Sequence, residues 1–250
     1  MNSIDYNKVQ ETYRQRSQLH GNHSVLTGSA DAKALHADAL LDYITRKRLL
    51  KHLKPQKTDS ILDFGCGVGR LSFILAPKCA TLTGIDASKE LIETAIERNR
   101  FANTSFVHTG FGFHPLPYTL LFNKVFTVGV LYHIPDDDLA KTLNDFSKKL
   151  KPGGKFVFIE HISPGNRILD NVGIQRNYDT WKQLLENNGF CIEKITKIMR
   201  APSYSMSLWK KTPRLFSFMM PLFYWLENCT VNRKPHLAEY YYCVFECRPA

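Results

Sequence analysis

The stretch ILDFGCGVGRLSF, residues 61–73, places three glycines at alternate positions behind Asp63, between two apolar runs. Inside a regular element each glycine costs about 0.5–1 kcal/mol of conformational entropy relative to alanine. Glycines are kept where the backbone turns tightly or must approach a ligand closely. The stretch therefore predicts a ligand-binding loop at the end of a strand.

The loop does not match the dinucleotide fingerprint G-x-G-x-x-G. Counted from Gly65, the third glycine position holds Arg70, and counted from Gly67 it holds Ser72. Asp63 instead stands at the strand end just ahead of the loop, where a carboxylate can receive a cationic amine. The pattern favours a ligand other than a dinucleotide.

A second acid, Asp86, closes the next apolar run in LTGIDAS, residues 82–88. Neighbouring parallel strands end at the same edge of a sheet, so Asp86 can accept hydrogen bonds from the two hydroxyls of a ribose. A ligand with an amine, a carboxylate and a ribose fits both acids. In the alternative reading, Asp63 caps only the loop and Asp86 caps only the following helix.

From residue 58 onward, short apolar runs alternate with amphipathic stretches, as in α/β proteins with a mostly parallel sheet. The predicted domains are an N-terminal helical cap or lid, residues 1–57, and a core, residues 58–250. Within the core, residues 200–236 are rich in proline and aromatic residues and predict a substrate-side insertion before the last strand. The predicted strands are 60–64, 80–85, 104–108, 124–130, 155–162, 191–199 and 239–248; the predicted helices are 69–77, 88–100, 136–150 and 178–190, with a long helical stretch at 32–53.

Four motifs in this order resemble those of class I S-adenosylmethionine-dependent methyltransferases, over roughly residues 40–195. They are ILDFGCGVGR (61–70), GIDAS (84–88), VGVLYHI (128–134) and LKPGGKFVFIE (150–160). The resemblance is to the small-molecule type of this family. It implies a Rossmann-like, seven-stranded, mostly parallel sheet with an antiparallel last strand and helices on both faces.

The resemblance also implies S-adenosylmethionine as the cofactor, and it assigns residues to it. The methionine part would contact Asp63, Gly65, Cys66, Gly67 and Gly69; the ribose would contact Asp86 beside Ala87; Val128 or Val130 would line the sulfonium side. Arg46 stands where some relatives place an arginine for the cofactor carboxylate, although an exposed helix arginine is an equal reading. Relatives often bind adenine through an acid after the third strand, but HTGFGFHPLPY (108–118) has none, so backbone near Thr109 or the ring of Phe111 would serve instead.

Three residues are candidates for a general base at the carboxyl edge of the sheet. His133 follows the fourth strand, and Glu160 and His161 end the fifth. Histidine has an unshifted pKa near 6.5, which suits proton transfer at neutral pH. The alternative for His133 is a structural histidine that hydrogen-bonds a loop backbone.

The composition of the chain limits the kinds of partner that we expect. The formal net charge is +10, but Lys and Arg are spread along the chain and no nucleic-acid-binding motif accompanies them, which argues against nucleic acid. No 18-residue apolar run or signal peptide occurs, so we expect a cytoplasmic protein of unknown oligomeric state. Cysteine and histidine spacings predict no metal site.

The predicted function is methyl transfer to an oxygen or nitrogen atom of a small, apolar or aromatic acceptor. The insertion, with Tyr6 and Tyr13, would cover the acceptor pocket, or its apolar and basic residues would rest on a membrane surface. The alternatives are an RNA or protein methyltransferase, and a binding module without catalysis.

Overall fold

The computed structural model of the chain describes residues 4–18, 26, 32–110, 116, 119–200, 204–212, 214–231 and 241–250. In these residues the strands are β1 (Ser60–Phe64), β2 (Thr81–Asp86), β3 (Thr104–His108), β4 (Phe122–Val128), β5 (Leu150–Ile162), β6 (Arg167–Leu169), β7 (Gly173–Gln175), β8 (Phe190–Arg200) and β9 (Tyr241–Pro249). The helices are α1 (Tyr6–Ser17), α2 (Ala32–Leu53), α3 (Ser72–Leu75), α4 (Lys89–Arg98), α5 (Asp136–Lys149), α6 (Tyr178–Asn187), α7 (Tyr204–Trp209) and α8 (Met220–Val231).

Seven of the described strands form one sheet in the order β3-β2-β1-β4-β5-β9-β8. The pairs from β3 through β5 are parallel, and β9 is antiparallel to both of its neighbours. The predicted fold class is confirmed. The strand order reverses between β1 and β4, and in such sheets ligands bind beyond the carboxyl ends of the strands at this switch point.

The sheet is buried on both faces, which explains why residues 156–159 of β5 form a continuous apolar run. Phe156 and Phe158 point to the face that is covered by α5 and α6, where they pack near Trp181. Val157 and Ile159 point to the opposite face, with Leu49 and Leu53 of α2 in the same cluster. The two faces together hold the strand ends of the ligand-binding edge in fixed positions.

The described part of the insertion packs on α2. Trp209 of α7 and Phe223 of α8 form a cluster with Leu40 and Ile44. The Trp209 ring stacks on His36 at 4.3 Å between centroids, and its Nε1 donates to the His36 carbonyl at 2.6 Å. No helix in the described residues combines the length and the apolar character needed to cross a bilayer.

Two local features differ from the sequence prediction. The helix expected over 69–77 is only α3, four residues long, because Pro77 lacks an N–H and its ring obstructs the preceding turn. The hairpin of β6 and β7 was not predicted; Asp170 and Asn171 both take positive φ values at its turn, of 45° and 57°. That turn geometry suits Asp and Asn, so the dipeptide was an available signal.

Candidate active site

A cavity of about 690 Å³ lies at the carboxyl ends of β1, β2 and β4. Its walls also include residues of α1, α4 and α5. Of the predicted site residues, those that line it are Asp63, Gly65, Cys66, Gly67, Asp86, Ala87, Val128, Val130 and His133. The switch point of the sheet and the glycine loop therefore meet at one cavity.

The glycine loop packs tightly against two neighbouring elements. Gly65 has a φ of +73°, and a Cβ at this position would lie 2.3 Å from Cγ2 of Val130. The N–H groups of Gly65 and Cys66 both donate to the Ile85 carbonyl, at 2.8 and 3.0 Å. A side chain at residue 65 would push the loop away from β4, so glycine is required there.

Asp63 is a buried carboxylate on the cavity wall. Its Oδ2 accepts a hydrogen bond from the Ser72 hydroxyl at 2.5 Å, and the side chain is 3% exposed. Burial raises the pKa of Asp63 to about 7, although Ser72 and the Arg70 charge act in the opposite direction. A cationic group in the cavity would favour the ionised form of this carboxyl.

Asp86 faces the same cavity from the end of β2. Its Oδ2 accepts from the Gly67 N–H at 2.8 Å, and its Oδ1 accepts from the Ser88 N–H at 2.9 Å. Burial raises the pKa of Asp86, and these backbone donors partly offset the rise. Each oxygen keeps a lone pair for a further donor, so Asp86 can still accept from ribose hydroxyls.

Two arginines share Asp42 of α2, but they differ in position. Arg46 pairs with Asp42 Oδ2 at 2.5 Å on the outer side of the helix and does not line the cavity. Arg70 donates from Nη1 to Asp42 Oδ1 and does line it. Arg70 is 8% exposed, and within the described residues its buried Nε has no hydrogen-bond partner. Arg70, which the sequence analysis did not single out, is therefore the better placed cation for a carboxylate.

His133 is held by hydrogen bonds on both ring nitrogens. Nδ1 lies 2.5 Å from the Val172 carbonyl, and Nε2 lies 2.8 Å from the Tyr13 hydroxyl. A carbonyl only accepts, so Nδ1 carries the proton and the neutral ring accepts from Tyr13 through Nε2. Burial lowers the pKa of His133 to about 4, which keeps the ring neutral at pH 7. The hydrogen bond to Val172 agrees with a structural role for His133, and its place on the cavity wall leaves the role of general base as a prediction.

Helix α1 forms one wall of the cavity through Tyr6, Val9, Gln10 and Tyr13. The Tyr6 hydroxyl donates to Asp138 Oδ2 of α5 at 2.8 Å. The β6–β7 turn fixes the start of α1, since the Asp5 N–H donates to the Asn171 carbonyl at 2.9 Å. The expected position of Tyr6 and Tyr13 over this edge is thus the observed one.

Glu160 and His161 lie away from the cavity wall. Glu160 is fully buried, and its Oε1 accepts from the N–H groups of Val130 and Leu131, both at 2.8 Å. Burial raises its pKa to about 7. The His161 ring packs against Tyr242 at 4.8 Å between centroids, and burial lowers its pKa. This geometry favours a positioning role for Glu160 on the loop after β4.

The remaining predicted residues differ in whether they line the cavity. Gly69 supports the loop beside Phe73 and does not line the cavity. Phe111 lies outside the described residues. In the part of the chain that the structure describes, no residue of 204–231 lines the cavity. Thr109 and Gly110 do line it, so the backbone near Thr109 borders the cavity as expected.

The donor set fits S-adenosylmethionine. Asp63 offers an anionic partner for an amine, the Arg70 guanidinium on the cavity wall offers a cation for a carboxylate, and Asp86 offers acceptors for a ribose. The backbone of the glycine loop lines the same cavity as Asp63, Arg70 and Asp86.

Comparison with known proteins agrees with this arrangement. A family described as "Methyltransferase domain" matches residues 61–154. The chain is 29% identical over 162 residues to phosphoethanolamine N-methyltransferase 1 of Zea mays, covering 58% of this chain and 31% of that protein. It is 36% identical over 115 residues to a tRNA U34 carboxymethyltransferase of Aliivibrio fischeri, covering 44% and 34%. The chain spans between about a third and a half of the length of the curated relatives it matches.

Among solved structures, the geranyl diphosphate C-methyltransferase of Streptomyces coelicolor A3(2) superposes with a TM-score of 0.68 at 12% identity. The match covers 98% of this chain and 97% of that one, and at this identity it shows the fold. The resemblance found in the sequence is thereby confirmed. The sheet and the glycine loop, together with the methyltransferase domain matched at residues 61–154, support a class I S-adenosylmethionine-dependent methyltransferase.

Proposed function

We propose that the protein transfers a methyl group from S-adenosylmethionine to an oxygen or nitrogen atom of a small-molecule acceptor. The observation that carries the proposal is the composition of one cavity. Asp63, Arg70 and Asp86 line it with the groups that the cofactor needs, and Tyr13 with His133 faces the same space.

The cofactor supplies a methyl group on a positively charged sulfur, which is already activated for displacement. Asp63 would hold its amine, Arg70 its carboxylate and Asp86 its ribose hydroxyls. Because the donor is activated, the protein has mainly to align the acceptor and exclude water. Few further catalytic groups are required.

A small acceptor is supported by the enclosure of the cavity. Helix α1 lies across it and is held at both ends, through Asp5 to Asn171 and through Tyr13 to His133. The volume of about 690 Å³ falls within the roughly 300–1,000 Å³ that is typical of small-molecule sites.

Proton removal from a hydroxyl or ammonium acceptor can use the Tyr13–His133 pair. The Tyr13 hydroxyl donates to the neutral Nε2 of His133. When the Tyr13 oxygen takes a proton from the acceptor, Tyr13 can pass its own hydroxyl proton to His133. A conjugate acid with a pKa of about 4 holds a proton only weakly, so His133 would serve as a transient acceptor. This exchange requires no charged residue at the start of the reaction.

The test is label transfer from S-adenosylmethionine that carries a radioactive methyl group, in a cell extract separated into metabolite, RNA and protein fractions. We expect label in the metabolite fraction. Label in RNA or protein would contradict a small acceptor, and cofactor binding without transfer would contradict catalysis. Asp86→Ala is the control variant, which should lose both binding in calorimetry and label transfer.

A further inference from the structure

The surface of α8 carries large apolar side chains that face water. Phe218, in the 3-10 turn just before α8, is 74% exposed; Leu222 is 45% exposed and Trp225 is 58% exposed. They follow one another at spacings of four and three residues, which places them along one side of a helical stretch. Scattered exposed apolar residues are normal on proteins, but a contiguous row of them marks an interaction surface. We call these three residues the α8 face.

The opposite side of α8 is fixed to the protein. Phe223 packs on α2, and Glu227 is 1% exposed. Arg48 of α2 donates to the Asn228 side chain, and its guanidinium lies 5.3 Å from the centroid of the Tyr224 ring. The helix therefore buries its carboxylate while it exposes Leu222 and Trp225, which is not the arrangement expected at a surface that faces only water.

The segment of sequence that contains α8 is basic. Residues 201–236 contain five Lys or Arg residues and one acid, Glu227, which points inward. Lys210 and Lys211, in the turn after α7, are both exposed. Their charges add to the net +10 of the chain. A partner with negative charge and an apolar layer beneath it complements this combination.

We propose that the α8 face docks on an anionic lipid bilayer surface. Helices that lie in the bilayer interface bury one apolar side by about 5–10 Å and keep basic residues at the level of the headgroups. Trp225 at this face fits the headgroup region, because its ring is apolar and its indole N–H is a donor. Lys210 and Lys211 would contact the anionic headgroups. This inference stands independently of the methyl acceptor.

The chain supplies its own probe for docking. Of its three tryptophans, Trp181 and Trp209 are fully buried, and Trp225 is exposed. Vesicles of phosphatidylcholine with phosphatidylglycerol should shift the tryptophan emission to shorter wavelength, and brominated lipids should quench it. Vesicles of pure phosphatidylcholine should have much less effect. Raising the salt from 0.1 to 1 M shortens the Debye length from about 10 to about 3 Å and should weaken binding.

Substitutions distinguish binding through the α8 face from nonspecific adsorption to vesicles. Phe218→Ser with Leu222→Ser should weaken cosedimentation with anionic vesicles by about tenfold or more, because two large apolar groups leave the interface. The matched control is Ile96→Ser, since Ile96 is 55% exposed and lies on α4. Lys210→Glu with Lys211→Glu should also weaken binding, whereas Lys78→Glu with Lys194→Glu, which changes the net charge equally, should have little effect.

Three outcomes would overturn the proposal. They are no vesicle binding by the unaltered protein, equal loss in the surface variants and their controls, and self-association that the Phe218 and Leu222 substitutions abolish without any vesicle binding. The last result would identify a second copy of the chain as the occupant of the α8 face. Thermal unfolding of each variant confirms that the changes reflect the surface, because exposed positions should shift stability little.

Discussion

The protonation state of Asp63 determines how strongly the candidate site would attract a cation. Its pKa of about 7 leaves the carboxyl partly protonated at neutral pH before a ligand arrives. A cationic amine binds the ionised form, so the proton must leave when the cofactor binds. Through Asp63, binding of the cofactor is therefore expected to depend on pH near neutrality.

We expect the affinity for S-adenosylhomocysteine, the demethylated cofactor, to fall by up to about tenfold per pH unit below pH 7 and to level off above it. Calorimetric titrations at pH 6, 7 and 8 measure this. Asp63→Asn should bind at least about a hundredfold more weakly at pH 8 and lose the dependence, because it has no proton to release. A constant affinity of the unaltered protein across this range would contradict the assignment.

The same carboxyl should destabilise the folded protein at high pH. Its folded pKa lies above its unfolded value of 3.8, so its contribution is most favourable below pH 3.8 and is lost as the pH rises through about 7. Asp63→Asn should therefore raise the melting temperature at pH 8 by about 4 °C or more, with a smaller difference near pH 4. Calorimetric melting at both pH values checks the sign. An equal shift at both would show that the carboxyl charge is not the cause.

Arg70 and Arg46 form a natural matched pair, because both contact Asp42. Arg70→Gln should weaken S-adenosylhomocysteine binding by about tenfold or more, since a charge-assisted hydrogen bond contributes about 1.5–3 kcal/mol. Arg46→Gln should change it less than about twofold. Equal losses of affinity, or a larger loss in Arg46→Gln, would favour Arg46 as the residue that binds the cofactor carboxylate, as the resemblance indicates.

At the scale of elements, α1 brings Tyr13, the proposed proton acceptor, to the cavity. Tyr13→Phe keeps the ring but removes the donor to His133 Nε2. For a hydroxyl acceptor we expect kcat to fall by about tenfold to a hundredfold, with cofactor affinity unchanged. The rate of the unaltered protein at saturating cofactor should stay flat from pH 6 to 8, because His133 remains neutral above a pKa of about 4.

Tyr6→Phe is the control on the same helix. It removes the hydrogen bond to Asp138 without touching His133, so kcat should stay within about threefold. If the two substitutions had equal effects, α1 would act only as a wall. A pH-rate profile with a rise near pH 6.5 would mean that another group accepts the proton.

The insertion acts on the fold through α2. Trp209→Ala should destabilise the protein by about 3–5 kcal/mol, because Trp209 is fully buried between His36 and Phe223. Its affinity for S-adenosylhomocysteine should change little, since Trp209 does not line the cavity. Urea unfolding and calorimetry measure the two effects separately. If the folded variant lost much of its affinity for S-adenosylhomocysteine, the insertion would contribute to the cofactor site.

The elements that the sequence predicts well are those whose pattern is local. The strands from β1 to β5 and the helix α4 with its Ser88 cap follow from apolar runs and capping residues alone. Asp63 and Asp86 follow as well, since parallel strands bring their carboxyl ends together. The role of Arg70 was missed because it depends on Asp42, which is distant in sequence. The β6–β7 hairpin had a local signal in Asp170-Asn171, but its contacts with α1 and His133 join residues that are far apart in the chain.

At the scale of the whole molecule, charge and shape point to different acceptors. The net charge of +10 suits a phosphate-bearing partner, and one relative is a tRNA U34 carboxymethyltransferase. The cavity, however, is closed on one side by α1, and basic residues such as Lys210 and Lys211 are exposed and do not line it. On the cavity wall, four basic residues are balanced by four acids, so the excess positive charge of the chain lies on other surfaces; the residues are Arg70, Lys141, Lys148, Lys149, Asp63, Asp86, Asp138 and Asp145.

Salt dependence of turnover distinguishes these possibilities. A protein that makes 6–10 phosphate contacts loses roughly 10³–10⁵ in affinity between 50 and 200 mM salt, because bound counterions are released. An acceptor enclosed by Tyr13, Val130 and His133 meets few of the surface charges. We therefore expect kcat/KM for the small acceptor to change by less than about threefold over that range. A steep decrease, together with salt-sensitive RNA binding that Tyr13→Phe leaves intact, would instead place a polymer at the mouth of the cavity.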